Sequence, residues 1–84
     1  MTFTQLHAAL LDLQLFGVDI VVRPGVIVLE HAQGRAYARV DVAVPSVNGG
    51  ERTAAWCLTW DGGGVWGDRV EDLGRAVVLA LRAA

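Results

Sequence analysis

The stretch Thr53-Ala54-Ala55-Trp56-Cys57-Leu58-Thr59-Trp60-Asp61-Gly62-Gly63-Gly64-Val65-Trp66 decides how this chain folds, because it holds all three tryptophans and a run of three glycines. No charged residue lies between Arg52 and Asp61. Alternating side chains predict a β-strand over residues 53–60 with one large apolar face, formed by Ala54, Trp56, Leu58 and Trp60. Such an uncharged strand is buried either in the core of its own domain or against another protein.

A second strand, predicted over residues 35–44, complements the first. Its small apolar residues form one face, and the other face carries Arg35, Tyr37, Arg39 and Asp41. Antiparallel pairing of the two strands places Val40 opposite Trp56 and Ala38 opposite Leu58, so that small side chains face large ones. The same register places Arg39 opposite Cys57 on the other face.

Shorter apolar runs predict strands at residues 18–23 and 26–30, joined at Pro24-Gly25 by a turn that we expect to be wider than two residues. A capping box of Thr2 and Gln5, followed by apolar residues at helical spacing, predicts a helix over residues 3–16 that ends at Gly17. Asp68 is the expected N-cap of a second helix over residues 69–82. The glycine run before it is interpreted as a flexible connection.

These elements predict one α+β domain over residues 1–84, with the order α-β-β-β-β-α. The four strands form an antiparallel meander, and both helices pack on the tryptophan face. If the strands are arranged in chain order, the tryptophan strand lies at an edge of the sheet.

Composition narrows the classes of function. The chain has 84 residues and a net charge of −2, which provides no general attraction to nucleic acid. All seven basic residues are arginine, which suggests a GC-rich source, either an actinobacterium or its phage. A single cysteine excludes an internal disulfide and favours a cytoplasmic location. The start of the chain lacks a signal-peptide pattern, and no apolar run is long enough to cross a membrane.

No motif in the sequence predicts catalysis or cofactor binding. His7 and His31 have no second ligand at metal spacing, and Cys57 has no evident base, although the facing Arg39 could lower its pKa. We therefore expect Cys57 to be a small buried apolar residue. The glycine run lacks a phosphate-binding pattern and is flanked by acidic residues. We predict no enzyme activity, no metal and no cofactor.

The order of elements resembles that of double-stranded RNA-binding domains, which have the arrangement α-β-β-β-α. The resemblance implies phosphate contacts from lysines at the start of the last helix. In this chain that place has the sequence Asp68-Arg69-Val70-Glu71-Asp72, so the functional residues are missing. The spacing Leu58-x-Trp60-Asp61-(x)4-Trp66 is similar to the C-terminal part of small actinobacterial domains.

The main functional hypothesis is a non-enzymatic protein-interaction or regulatory module that self-associates as a homodimer, or binds another protein, as a phage or actinobacterial accessory protein does. Its candidate interaction surface consists of Arg23, Arg35, Tyr37, Arg39, Cys57, Thr59 and Trp66. The alternative is a nucleic-acid-binding regulator that uses the open sheet face around Arg35, Tyr37 and Arg39. The alternation of arginine with carboxylates on that face favours the first hypothesis.

Overall fold

Five antiparallel strands, arranged in chain order, form a single sheet that packs against two helices, so the domain is α+β. The computed structural model describes residues 1–83. The elements are α1 Phe3–Asp12, β1 Asp19–Arg23, β2 Val26–His31, β3 Gly34–Pro45, β4 Glu51–Trp60, β5 Gly63–Gly67, a 3-10 turn at Val70–Asp72, and α2 Leu73–Ala83.

The prediction of four strands is wrong by one, because the glycine run is not a flexible connection. Trp60 pairs with Gly63, so Asp61 and Gly62 alone form the turn, and Gly62 adopts a φ of 95° that favours glycine. The following residues form β5, which pairs along β4. The tryptophan strand β4 therefore lies inside the sheet, and the expectation that it forms an edge is also wrong.

Glycine is needed in β5 because two indole rings lie directly on its backbone. A Cβ atom built on Gly67 would lie 2.5 Å from Cζ2 of Trp56, and one built on Gly63 would lie 3.0 Å from the ring of Trp60. Aromatic rings of this kind cover a glycine strand that has few side chains of its own to pack. The tryptophans thus convert a glycine-rich segment into an ordered strand.

The predicted pairing between the two long strands is confirmed. Val40 faces Trp56, Ala38 faces Leu58, and on the opposite face of the sheet Arg39 is the cross-strand neighbour of Cys57. The turn at Pro24-Gly25 is narrower than predicted, because Arg23 pairs with Val26 and leaves only two residues between the strands. Gly25 accommodates this tight turn with a φ of 73°.

Both helices pack on the tryptophan face of the sheet. The buried cluster joins residues of α1 and α2 to the inward side chains of the central strands, and its largest member is Trp56 with 1% of its surface exposed. The Nε1–H of Trp56 donates to the backbone oxygen of Arg69 at 3.0 Å, so the buried ring also anchors the segment that leads into α2. Trp60 is half-buried at the margin of this core. The other members are Leu6, Leu10, Ile27, Leu29, Ala36, Ala38, Leu58, Leu73, Ala76, Val77 and Ala80.

The helix ends differ in part from the predictions. The capping box at Thr2 and Gln5 is confirmed, with the two reciprocal hydrogen bonds at 3.1 and 2.8 Å. However, α1 ends at Asp12, and Gln14, with a φ of 51°, takes the left-handed position after the helix that was predicted for Gly17. The second helix begins only at Leu73, after a 3-10 turn.

Asp68 does not cap a helix but completes the sheet. Asp41, with a φ of 52°, interrupts the β3–β4 ladder, in which the pair it would form with Ala55 is missing. The N–H of Ala55 instead donates to Oδ1 of Asp68 at 3.2 Å, and Arg52 Nη1 donates to both carboxylate oxygens at 3.0 and 2.8 Å. These hydrogen bonds, first from Arg52 and then from Ala55, lower the pKa of Asp68.

We expect Gly67→Ala to destabilise the protein by about 1–3 kcal/mol, because its Cβ would overlap the buried ring of Trp56. Gly64→Ala is the matched control in the same strand, since its Cβ would meet nothing closer than 3.4 Å. Urea unfolding of both variants measures the difference. Equal unfolding free energies for the two variants would show that the ring does not lie on Gly67.

Asp68 predicts one component of acid sensitivity. Because its pKa is lowered in the folded state, its contribution to the unfolding free energy is complete above the unfolded carboxyl value of about 3.9 and is lost as the pH falls through the folded pKa. The stability difference between the wild type and Asp68→Asn should therefore shrink on acidification. Asp61→Asn, which removes the same charge from a turn, is the control for net charge. A difference that stays constant with pH would contradict this role of the Asp68 carboxylate.

Candidate interaction surface

The sheet face opposite the helices, called here the open face, carries all seven candidate side chains in alternating positions along the strands. Tyr37 pairs with Val28 on one side and with Thr59 on the other, while Cys57 lies between Arg39 and Trp66. Tyr37 therefore lies on the predicted face. Within residues 1–83 no helix covers this face, yet Val28 and Cys57 are only 8% and 4% exposed. Neighbouring side chains on the sheet itself must bury them.

Arg39 contacts two neighbouring side chains at the centre of the open face. Its guanidinium carbon lies 5.8 Å from the centroid of the Tyr37 ring, and its Nη1 donates to Oγ1 of Thr59 at 3.2 Å. A cation–π contact at an exposed site contributes about 0.5–1 kcal/mol. The hydrophobic stem of the arginine thus covers apolar surface while its charged end stays in contact with water.

Cys57 is a buried thiol and does not form part of the accessible surface. Burial raises its pKa above the ordinary value, and this outweighs the opposing influence of the Arg39 charge and of a hydrogen bond from the Arg39 backbone. Arg39 thus acts in the predicted direction, but burial has the larger effect and the net shift of the Cys57 pKa is upward. The thiol is neutral near pH 7 and packs as a small apolar side chain, as expected.

Arg23 and Arg35 lie apart from the centre of the open face. Arg35 is the cross-strand partner of Glu30, and its Nε lies 3.8 Å from the Glu30 carboxylate. Arg23 lies at the end of β1, with β2 between it and β3. The structure thus brings together Tyr37, Arg39, Cys57, Thr59 and Trp66, but it does not add the other two arginines to form a continuous basic patch.

The free edge of β5 is a feature that the sequence reasoning missed. This strand is the last in the sheet, contains no charged residue, and carries Trp66 with 43% of its surface exposed. The signal that could have revealed it is the Asp61-Gly62 pair between alternating large residues, which is typical of a two-residue hairpin turn.

An apolar groove extends this edge toward the helix side of the molecule, between β5 and α2. Val65 and Ala76 line the groove, and the side chain of Leu79 is 52% exposed at its margin. Two side chains of opposite charge, Asp72 and Arg75, also line it. The edge of β5 is therefore flanked by accessible apolar surface on both faces of the sheet.

Neither a metal centre nor a membrane-spanning helix is found in the part of the chain that the structure describes. No group of three or more His, Cys, Asp or Glu side chains among residues 1–83 is placed to hold a metal ion. Neither α1 nor α2 has the length and hydropathy that crossing a bilayer requires.

Comparison of the chain with protein-family models, with curated proteins and with solved structures found no match. A function is therefore inferred from the geometry and chemistry of the surface.

Proposed function

We propose that this protein is a non-enzymatic interaction module that self-associates as a homodimer through the free edge of β5. The observation that carries the proposal is the uncharged edge strand, on which Trp66 is 43% exposed. An open edge presents unpaired backbone N–H and C=O groups, and proteins normally protect it with charge, proline or a covering segment. None of the five residues of β5 provides such protection.

The two edges of the sheet differ in this respect. The other edge strand, β1, begins with Asp19 and ends with Arg23, so it carries a charged residue at each end. β5 has only glycine, valine and tryptophan. The uncharged edge is therefore the one at which we propose self-association, and two-fold pairing of β5 with itself gives a closed dimer.

The size of the domain also supports association. A domain of 84 residues buries a smaller share of its chain than larger proteins do, so its stability is marginal and oligomerisation is a common remedy. Pairing at β5 would remove Trp66 and Leu79 from water, and burial contributes about 25 cal/mol per Å² of apolar surface. The single cysteine and the all-arginine basic set support a cytoplasmic phage or actinobacterial accessory protein as the setting.

The alternative function, nucleic-acid binding on the open face, has weaker support. Arg35 lies beside the carboxylate of Glu30, which offsets its charge, and Arg39 contacts Tyr37 and Thr59, so the face lacks a continuous basic patch. We expect no salt-dependent binding of labelled single-stranded or double-stranded oligonucleotides, measured by fluorescence anisotropy. Binding that is abolished by Arg39→Glu would instead support the alternative.

The dimer is tested by sedimentation equilibrium at high micromolar concentration. We expect a dimer for the wild type and a monomer for Trp66→Lys, because the lysine places a charge on the pairing edge. Val47→Lys is the matched control, since it also replaces an apolar side chain with lysine but lies fully exposed in the loop between β3 and β4.

Circular dichroism must show that both lysine variants are folded. Cys57 is unsuitable for such a substitution because it is buried. A wild-type chain that sediments as a monomer would refute self-association. A dimer that persists in folded Trp66→Lys would place the contact elsewhere on the molecule.

A further inference from the structure

The backbone groups that β5 leaves unpaired follow from its hairpin with β4. Trp60 and Gly63 flank a two-residue turn and form a hydrogen-bonded pair, and hydrogen-bonded and non-hydrogen-bonded pairs then alternate along the ladder. Gly63, Val65 and Gly67 therefore direct their N–H and C=O groups toward β4. Gly64 and Trp66 direct theirs toward the free edge.

A second copy can pair with this edge around a two-fold axis in three registers. An axis at Gly64 places Trp66 opposite Gly62 of the other copy, which belongs to the turn and has a φ of 95°. An axis at Trp66 places Gly64 opposite Asp68, which lies beyond the strand and whose carboxylate already binds Arg52 and Ala55. An axis at Val65 pairs every residue from Gly63 to Gly67 within extended backbone.

Side-chain size favours the same axis. With the axis at Val65, each Trp66 lies opposite Gly64 of the other copy, on the open face of a continuous sheet. No atom of its own protomer overlaps that position, because a Cβ on Gly64 would meet the Leu58 oxygen and Cγ2 of Thr59 only at the contact distance of 3.4 Å. The arrangement repeats between copies what occurs inside each one, where the ring of Trp56 lies on Gly67 of the neighbouring strand.

We infer that two copies of this chain join through β5 in one register, antiparallel about a two-fold axis at Val65, with Trp66 of each copy packed on Gly64 of the other. The inference rests on the proposed self-association. The N–H and C=O groups of Gly64 and Trp66 form four hydrogen bonds across the axis. The two grooves between β5 and α2 meet on the helix side. Each copy brings one negative side chain, Asp72, and one positive side chain, Arg75, to this meeting point.

Single cysteines distinguish the three registers. In a Cys57→Ala background, we expect Val65→Cys to form an intermolecular disulfide on mild oxidation, because the two side chains face each other at the axis within the Cα separation of about 4.4–6.8 Å that disulfides need. Gly64→Cys and Trp66→Cys lie off the axis and should remain uncrosslinked. Non-reducing electrophoresis and intact mass measure the outcome.

A substitution that fills the space above Gly64 provides a second test. We expect Gly64→Val to fold, yet to raise the dimer dissociation constant by about tenfold or more, because its side chain occupies the position of Trp66 from the other copy. Adding Trp66→Ala to Gly64→Val should restore part of the lost affinity. Sedimentation equilibrium measures both variants, and circular dichroism checks their folding.

The outcomes separate the register from the self-association itself. If the wild type is a dimer but Gly64→Cys or Trp66→Cys forms the intermolecular disulfide, or Gly64→Val associates without loss of affinity, this register is overturned and the proposed dimer stands. A wild-type monomer overturns both. Crosslinking at Val65 alone, together with weakened association of Gly64→Val, supports the inference.

Discussion

The packing of two indole rings onto glycine backbone is the interaction on which the rest of this structure depends. Trp56 lies on Gly67 and Trp60 lies against Gly63. The path of β5 is therefore determined by the packing of β4 side chains as well as by backbone pairing with β4. The same Trp56 ring fills the centre of the core and binds the Arg69 carbonyl oxygen ahead of α2. One side chain thus couples the sheet edge, the core and the start of the last helix.

That packing also explains why the molecule ends in such an unusual edge. A strand that must accept aromatic rings on its inner face can carry only glycine at those positions, and a glycine strand has few side chains with which to discourage pairing. Protection at the edge then depends on the outward positions, which are Gly64 and Trp66. The placement of the tryptophans therefore explains both the glycines of β5 and the unprotected edge through which we propose association.

The parts of the fold that the sequence predicts correctly are those in which side-chain alternation is strong. The β3–β4 register, the position of Tyr37 on the open face and the burial of Trp56 all follow from the pairing of small residues with large ones. The sequence does not reveal β5, because a glycine run by itself indicates a flexible segment, whereas the order of this strand comes from rings supplied by β4. The prediction of Asp68 as a helix cap is wrong for a similar reason. The residues next to Asp68 in the sequence give no sign that Asp41 adopts a left-handed conformation. That conformation leaves the Ala55 N–H without a strand partner, and Asp68 accepts its hydrogen bond.

The chain-order arrangement of the strands has a consequence for how the molecule folds. Each ladder joins neighbouring segments, three of the four connections contain only two residues, and the loop at residues 46–50 is the longest. Closing such short loops costs little conformational entropy, so the sheet can form by successive local steps. The contact between α1 and α2 has the opposite character, because it joins segments separated by the whole sheet. Docking of the first helix is therefore expected to be a late step of folding, because its contacts with β3 and α2 join segments far apart along the chain.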